Sequence, residues 1–218
     1  MMDLETLRQQ VIDGEQEAAV ESTKAAVAQG CAPDVILRQA LFPAMDEVGR
    51  RMQCHEFFIP EVLMSARTMQ ACAGVLRPLI VEDPSMQPLG TAVACTVAGD
   101  LHDVGKNLVC LMLEGTGFDI VDLGHDCSAE KVVAAVREHR PDVVALSAML
   151  TTTMLNMKKI LDALSATGLR DRVHVMVGGA PVDASFAREI GADFYGDDAP
   201  AASAHARRLV EARAPRAS

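Results

Sequence analysis

Two hydrophobic periodicities divide the 218-residue chain. Up to about Glu82, apolar positions recur at helical spacing: Leu4, Leu7, Val11 and Ile12 share one face, and Ala18 to Val20 with Ala26 and Val27 mark a second helix that Gly30 can stop. Pro33 opens a third helix, running from Asp34 towards Met52 with Val35, Leu37, Leu41, Met45 and Val48 near one stripe. Phe57 to Leu79 supplies a fourth, starting close to Pro60, where a proline is tolerated in a first turn. Beyond Gly90 the period changes. Short apolar runs at 91–97, 118–123, 143–147, 173–177 and 194–195 predict strands, separated by helical stretches near 105–116, 129–139, 153–166, 183–190 and 199–212. Such alternation favours parallel crossovers and a doubly wound α/β sheet. Between the two patterns, Asp83 to Gly90 carries two prolines and a glycine, which suits neither helix nor central strand. The predicted organisation is a helical domain over 1–83, a linker over 84–90 and an α/β domain over 91–218.

Composition narrows the partners. A formal net charge of −10 argues against nucleic acid or anionic membrane, and with Trp absent there is little aromatic material for stacking on bases. No basic-then-apolar leader opens the sequence, and no apolar run approaches the roughly 20 residues of a membrane span. Six scattered cysteines suit a reducing cytoplasm better than a disulfide scaffold.

The chemistry concentrates in Gly99-Asp100-Leu101-His102-Asp103-Val104-Gly105-Lys106-Asn107, a glycine-bounded loop between a strand run and a helical run. His102 therefore stands at the carboxyl end of a parallel strand, where open α/β sheets bind ligands. One imidazole nitrogen can reach a metal while Asp100, two residues back, holds the other and fixes the tautomer. A single histidine cannot hold a bare ion, so the remaining ligands must come from a prosthetic group. The alternative is a loop histidine hydrogen-bonded locally. A phosphate loop is excluded, because five residues rather than four separate Gly99 from Gly105 and Asn107 replaces the magnesium-binding hydroxyl. No Gly-x-Gly-x-x-Gly fingerprint occurs here either. His125 and Cys127 follow the second predicted strand, but two candidate ligands do not make a zinc site.

Asp100-Leu101-His102-Asp103-Val104-Gly105 resembles the Asp-x-His-x-x-Gly motif of vitamin B12-binding domains. Ser147-Ala148-Met149-Leu150-Thr151-Thr152-Thr153-Met154 and Val177-Gly178-Gly179-Ala180-Pro181-Val182 match the second and third cofactor segments of that family, in order. The N-terminal part is similar to the helical cap of corrinoid proteins in methyltransferase systems. The resemblance implies a flavodoxin-like (Rossmann-like) cobalamin domain behind a helical bundle cap. It implies cobalamin, as methylcobalamin or cob(I)alamin, with no other metal.

By the same resemblance, His102 is the lower axial ligand of cobalt, in place of the cofactor's own base, and Asp100 with the Thr153 hydroxyl completes a proton relay. Thr153 reads equally well as satisfying a helix N-terminus. Leu101, Asp103, Val104, Gly105 and Lys106 belong to the cofactor loop, although Lys106 could simply face water. Ser147 and Thr151 line the slot for the nucleotide tail, and Met149 and Leu150 of the same segment are further cofactor-binding residues. Gly178, Gly179 and Ala180 let backbone pass beside that tail, unless they are only a turn after a strand. Ala199 matches a small residue near the cofactor. In the cap, Met52 and Ile59 fall where the upper face of the corrin is shielded; Met52 replaces an aromatic, and ordinary bundle core is the other reading. Arg38 stands where some relatives carry an acidic cofactor contact.

The function implied is a methyl carrier that accepts a methyl group from a substrate-specific methyltransferase. It passes the group to a second methyltransferase acting on tetrahydrofolate or a thiol, and a reductive activation protein serves as a further partner. Such a chain is a non-autonomous component rather than a complete enzyme. The alternatives are a cobalamin-dependent, light-sensing regulator module or the cobalamin subunit of a carbon-skeleton mutase.

Overall fold

The computed structural model describes residues 4–80 and 88–213. The chain divides into two compact units, one of Met1–Pro88 with Gly115–Gly117 and one of Leu89–Glu114 with Phe118–Ser218. Residues 84–87 of the expected linker lie outside the described residues. Among the described residues no helix is long and apolar enough to cross a membrane.

The first unit is helical: α1 (Leu4–Ile12), α2 (Gln16–Ala28), α3 (Pro33–Ile36), α4 (Phe42–Gln53) and α5 (Ile59–Ile80). Leu7, Val11, Ile36, Leu41, Met45, Val48, Val62 and Leu76 are fully buried and form its interior. Ser65 ties two of these helices together, its hydroxyl donating to the Ile12 carbonyl at 2.7 Å. At Gly14 the backbone turns with φ +72° against Met64, and an added Cβ would lie 2.9 Å from the Met64 Cβ. The single third helix expected from the stripe is broken. Residues Leu37–Leu41 form a π turn between α3 and α4. Pro43 has no N–H to give and its ring would crowd the carbonyl four residues back, so the widened turn accommodates it.

The second unit runs β1 (Gly90–Thr96), α6 (Val104–Gly115), β2 (Phe118–Asp122), α7 (Ala129–His139), β3 (Val143–Ser147), α8 (Leu155–Ala166), β4 (His174–Gly178), α9 (Ala184–Ile190), β5 (Phe194–Gly196) and α10 (Ala199–Arg213). All strand pairs are parallel, in the order β2-β1-β3-β4-β5. This is the flavodoxin-like arrangement, whose order reverses between β1 and β3 and opens a crevice there.

Alternation along the strands sorts the core. Val93, Cys95, Val144, Leu146, Val175 and Val177 pack with Val132, Val136, Ile160, Leu161 and Leu164 of the helices on one face. Ala92, Ala94, Ala145 and Met176 pack with Cys110, Leu113, Ala202 and Ala206 on the other. Leu164 is fully buried; truncating it to alanine should cost roughly 2–5 kcal/mol. Two loops at the carboxyl edge are closed by side-chain caps: Ser128 accepts from the Lys131 N–H at 3.3 Å and Asp183 from the Phe186 N–H at 2.7 Å.

Candidate functional site

The carboxyl ends of β1 and β3 bring the first two motif segments together. After β1 the chain leaves the sheet through Gly99 in a left-handed conformation, φ +79°, and places Asp100 beneath the loop that follows β3. The Asp100 carboxylate is completely buried. Its Oδ2 accepts from the Met149 N–H at 2.7 Å, the Leu150 N–H at 3.3 Å and the Thr153 hydroxyl at 2.6 Å. Its Oδ1 accepts from the His102 N–H at 3.1 Å and lies 2.8 Å from His102 Nδ1. Burial works against its charge, but the hydrogen bonds from Thr153, Met149 and His102 outweigh that and hold the carboxyl well below the usual carboxylate range.

A charged carboxylate can only accept, so Nδ1 carries a proton, and in the neutral imidazole the lone pair is on Nε2. The His102 side chain is 58% exposed. Its backbone is fixed at both ends, because the Thr96 hydroxyl donates to the His102 carbonyl at 3.1 Å. The ring is thus an oriented donor on a rigid base. Among the described residues no three His, Cys, Asp or Glu side chains converge to hold an ion. The donor set fits a metal whose other ligands come with a macrocycle. So does the surface around it: Leu101, Val104, Met149 and Leu150 are all exposed apolar side chains from the two loops at His102. Exposed apolar side chains of this kind suit a large, largely apolar ligand.

The third segment lies one strand further along. Register aligns Thr96, Ser147, Gly178 and Gly196 across the carboxyl ends of β1, β3, β4 and β5, a row of small side chains. Gly179 follows with φ +116°, and an added Cβ would meet the Ala148 carbonyl oxygen at 1.9 Å. Only glycine passes there. Gly196 completes the row and was not among the expected residues, although a glycine at the end of the last strand was the available signal.

The other expected residues fall as follows. Thr151 and Ala180 are exposed and Gly105 lies exposed in the first turn of α6, while Asp103 is half-buried and its carbonyl accepts from the Asn107 N–H at 2.8 Å. Lys106 turns inward: its ammonium is buried and donates to Asp122 Oδ2 and Asn107 Oδ1, both at 2.5 Å, so its side chain does not face water. Ala199 is buried at the start of α10. Met52 is half-buried in the last turn of α4 and Ile59 begins α5 exposed, both in the helical unit. Arg38 is exposed in the π turn. Cys127 is buried with Sγ directed at the Leu123 and His125 carbonyls, 3.3 and 3.5 Å away, and His125 is exposed. Thr96 and Asn156 were missed; the Asn156 amide donates to the Ala98 carbonyl at 2.7 Å and secures the same loop.

Comparison with known proteins agrees with this geometry. The B12 binding domain family matches residues 90–204, and a second family, also described as a B12 binding domain, matches residues 3–77. The chain belongs to the family of corrinoid proteins built on the B12-binding domain. It is 38% identical over 202 residues to trimethylamine corrinoid protein 2 of Methanosarcina mazei, covering 92% of this chain and 93% of the relative. Dimethylamine corrinoid protein of Methanosarcina barkeri is 39% identical over 178 residues, covering 82% and 84%. Among solved structures, a novel cobalamin-binding protein from Desulfitobacterium hafniense superposes with TM-score 0.80 at 31% identity, over 96% of this chain and 99% of that one. The methanol:cobalamin methyltransferase complex MtaBC from Methanosarcina barkeri gives TM-score 0.84 at 31% identity, over 94% and 78%.

Proposed function

We propose that this chain is a methyl carrier that holds cobalamin base-off with His102 as the lower ligand. It works between a substrate-specific methyltransferase and a second methyltransferase acting on tetrahydrofolate or a thiol. When bound, cobalamin supplies the cobalt that takes up and releases the methyl group. One observation carries the reading. A fully buried, five-fold hydrogen-bonded carboxylate fixes the Nδ1 proton of an exposed imidazole whose Nε2 is left as an outward donor.

Each residue has a task in this reading. Asp100 sets the tautomer of His102 and, by drawing on its N–H, adjusts how strongly Nε2 donates. Thr153 supplies the third member of the relay, its hydroxyl 2.6 Å from Asp100 Oδ2. Ser147, Thr151, Gly178, Gly179 and Ala180 would line the slot for the displaced tail, while Leu101, Val104, Met149 and Leu150 would offer apolar surface to the macrocycle. Met52 and Ile59 of the helical domain, 1–83, would be the residues to shield the methyl group, and the segment 84–90 joins that domain to 91–218. The relatives named for trimethylamine and dimethylamine support a methylamine as donor, and the likeness to the methanol complex supports a methyltransferase partner. A reductive activation protein would return oxidised cobalt to its working state. The six cysteines, all free thiols, suit a reducing cytoplasm.

The test is reconstitution of the full chain with hydroxocobalamin, followed by methylation assays with trimethylamine or dimethylamine methyltransferases. Base-off loading together with methyl uptake from a methylamine supports the proposal. Loading without uptake from any methyl donor, or retention of the cofactor's own base on cobalt, overturns it.

A further inference from the structure

The loop that carries Asp100 and His102 is held from two sides, and only one of them involves the carboxylate relay. On the β3 side, Asp100 is bound by Met149, Leu150 and Thr153, and the Ala98 carbonyl by Asn156. On the other side lies the loop after β2, Leu123 to Ser128, to which the proposed relay gives no role. Its main chain runs alongside the exit of β1: the Thr96 N–H donates to the Gly124 carbonyl at 2.9 Å and the Cys127 N–H to the Thr96 carbonyl at 3.0 Å.

Asp126 sits at the end of this pairing and clasps two consecutive residues. Its Oδ1 accepts from the Gly99 N–H at 2.7 Å, and its own N–H donates to the Asp100 carbonyl at 3.1 Å. To make both bonds Asp126 adopts a left-handed conformation, φ +52°. Asp and Asn tolerate this better than other residues with a side chain, yet it still carries a cost that the two bonds must outweigh. The residue it grips first, Gly99, is itself left-handed at φ +79°. This bend aims the following two residues away from the strand, and the Asp126 carboxylate holds the N–H at its apex.

We infer that Asp126 is a positioning residue for cobalt ligation: by clasping Gly99 and Asp100 it fixes the place from which His102 presents Nε2. The inference rests on the ligand role proposed for His102. A donor held by a supporting set of bonds ligates more strongly than the same donor on a loose loop, because no ordering remains to be done on binding. The two hydrogen bonds of Asp126 to this loop both go to main chain, at the Gly99 N–H and the Asp100 carbonyl. Its effect must pass through the backbone of residues 99 and 100.

Two substitutions isolate the clasp. Asp126→Gly removes the carboxylate while relieving the left-handed strain, so the loop can fold without the latch. Asp126→Asn keeps an acceptor oxygen and an equal tolerance of positive φ. Both full-length variants are loaded with hydroxocobalamin and reduced to the Co(II) state. Nitrogen splitting in the electron-spin spectrum and the Co(II)/Co(I) midpoint potential are then read beside the wild type. Co(I) takes no axial ligand, so weaker histidine donation raises the potential. A tenfold loss of ligation in Asp126→Gly is expected, which is about 59 mV for one electron. Asp126→Asn is expected to keep the wild-type potential. An unchanged potential and splitting in Asp126→Gly overturns the inference. So does an equal shift in both variants, which would assign the effect to charge and not to the hydrogen bond. If wild-type protein itself lacks histidine splitting, the ligand role of His102 has failed, and the clasp fails with it.

Discussion

Asp100 and His102 share one hydrogen bond across the boundary between core and surface. The carboxylate is fully buried, and the imidazole 2.8 Å away is 58% exposed. The buried partner takes five donors and so stays charged; the exposed partner donates from Nδ1 and, as a neutral imidazole, has its lone pair on Nε2.

The buried charge makes stability depend on acid. In the folded chain the Asp100 carboxyl lies below the ordinary value of 3.8, so its bonds stabilise fully at pH values above the unfolded value. Below it the unfolded chain takes up the proton first, and that contribution is lost as pH falls towards the folded value. Apo Asp100→Asn should be less stable than wild type near neutrality and should show a flatter acid limb in urea denaturation at a series of pH values. Parallel profiles for the two proteins would show that Asp100 is not held as an anion.

Thr153 donates to Asp100 from a buried position. Thr153→Val keeps the shape but leaves a buried carboxylate oxygen short of one donor, a loss of about 1–3 kcal/mol. Thr153→Ser keeps the hydroxyl and should retain most of the stability. Denaturant midpoints decide the matter: equal losses in the two variants would remove the hydroxyl from the network.

Gly179 combines φ +116° with a 1.9 Å approach of an added Cβ to the Ala148 carbonyl. Gly179→Ala should cost roughly 2–5 kcal/mol from strain and crowding together. Gly168, at φ +67° in open space, isolates the strain alone, and Gly168→Ala should cost roughly 1–2 kcal/mol. Similar losses in thermal and chemical unfolding would mean that the loop after β4 yields freely and that its close approach is not needed.

What the sequence makes legible follows from the range of the interactions. Strands β1, β3 and β4 stand out because each is a short apolar run closed by polar or glycine residues, and the His102 loop stands out because its residues are contiguous. The broken third helix is less visible: the stripe from Val35 to Val48 is continuous, and only Pro43 signals the widened turn. Lys106 illustrates a further limit. Its neighbours in sequence suggest an open loop, whereas its partner Asp122 arrives from the adjacent strand 16 residues on. Thr96, Asn156 and Asp126 are silent in the sequence for the same reason, since each grips main chain that only the fold brings near.

The second compact unit lends itself to a fragment test. Both cores flanking the sheet are built from residues 92–206, so a fragment of residues 89–218 should fold, load cobalamin and keep the histidine signal. Without the helical domain, and hence without Met52 and Ile59, it should lose a methyl group from loaded methylcobalamin to light faster than the full chain. Equal photolysis rates would show that these two side chains do not shield the upper face.

The most direct measurement concerns the nitrogen on cobalt. Full-length protein is grown with histidine labelled throughout with nitrogen-15, loaded with unlabelled hydroxocobalamin and reduced to Co(II). If His102 is the lower ligand, the nitrogen triplet on each cobalt line becomes a doublet in the labelled protein, and His102→Ala abolishes the doublet. A triplet that survives labelling places the cofactor's own base on cobalt, and a doublet that survives His102→Ala assigns the ligand to another histidine; either result contradicts the assignment of His102.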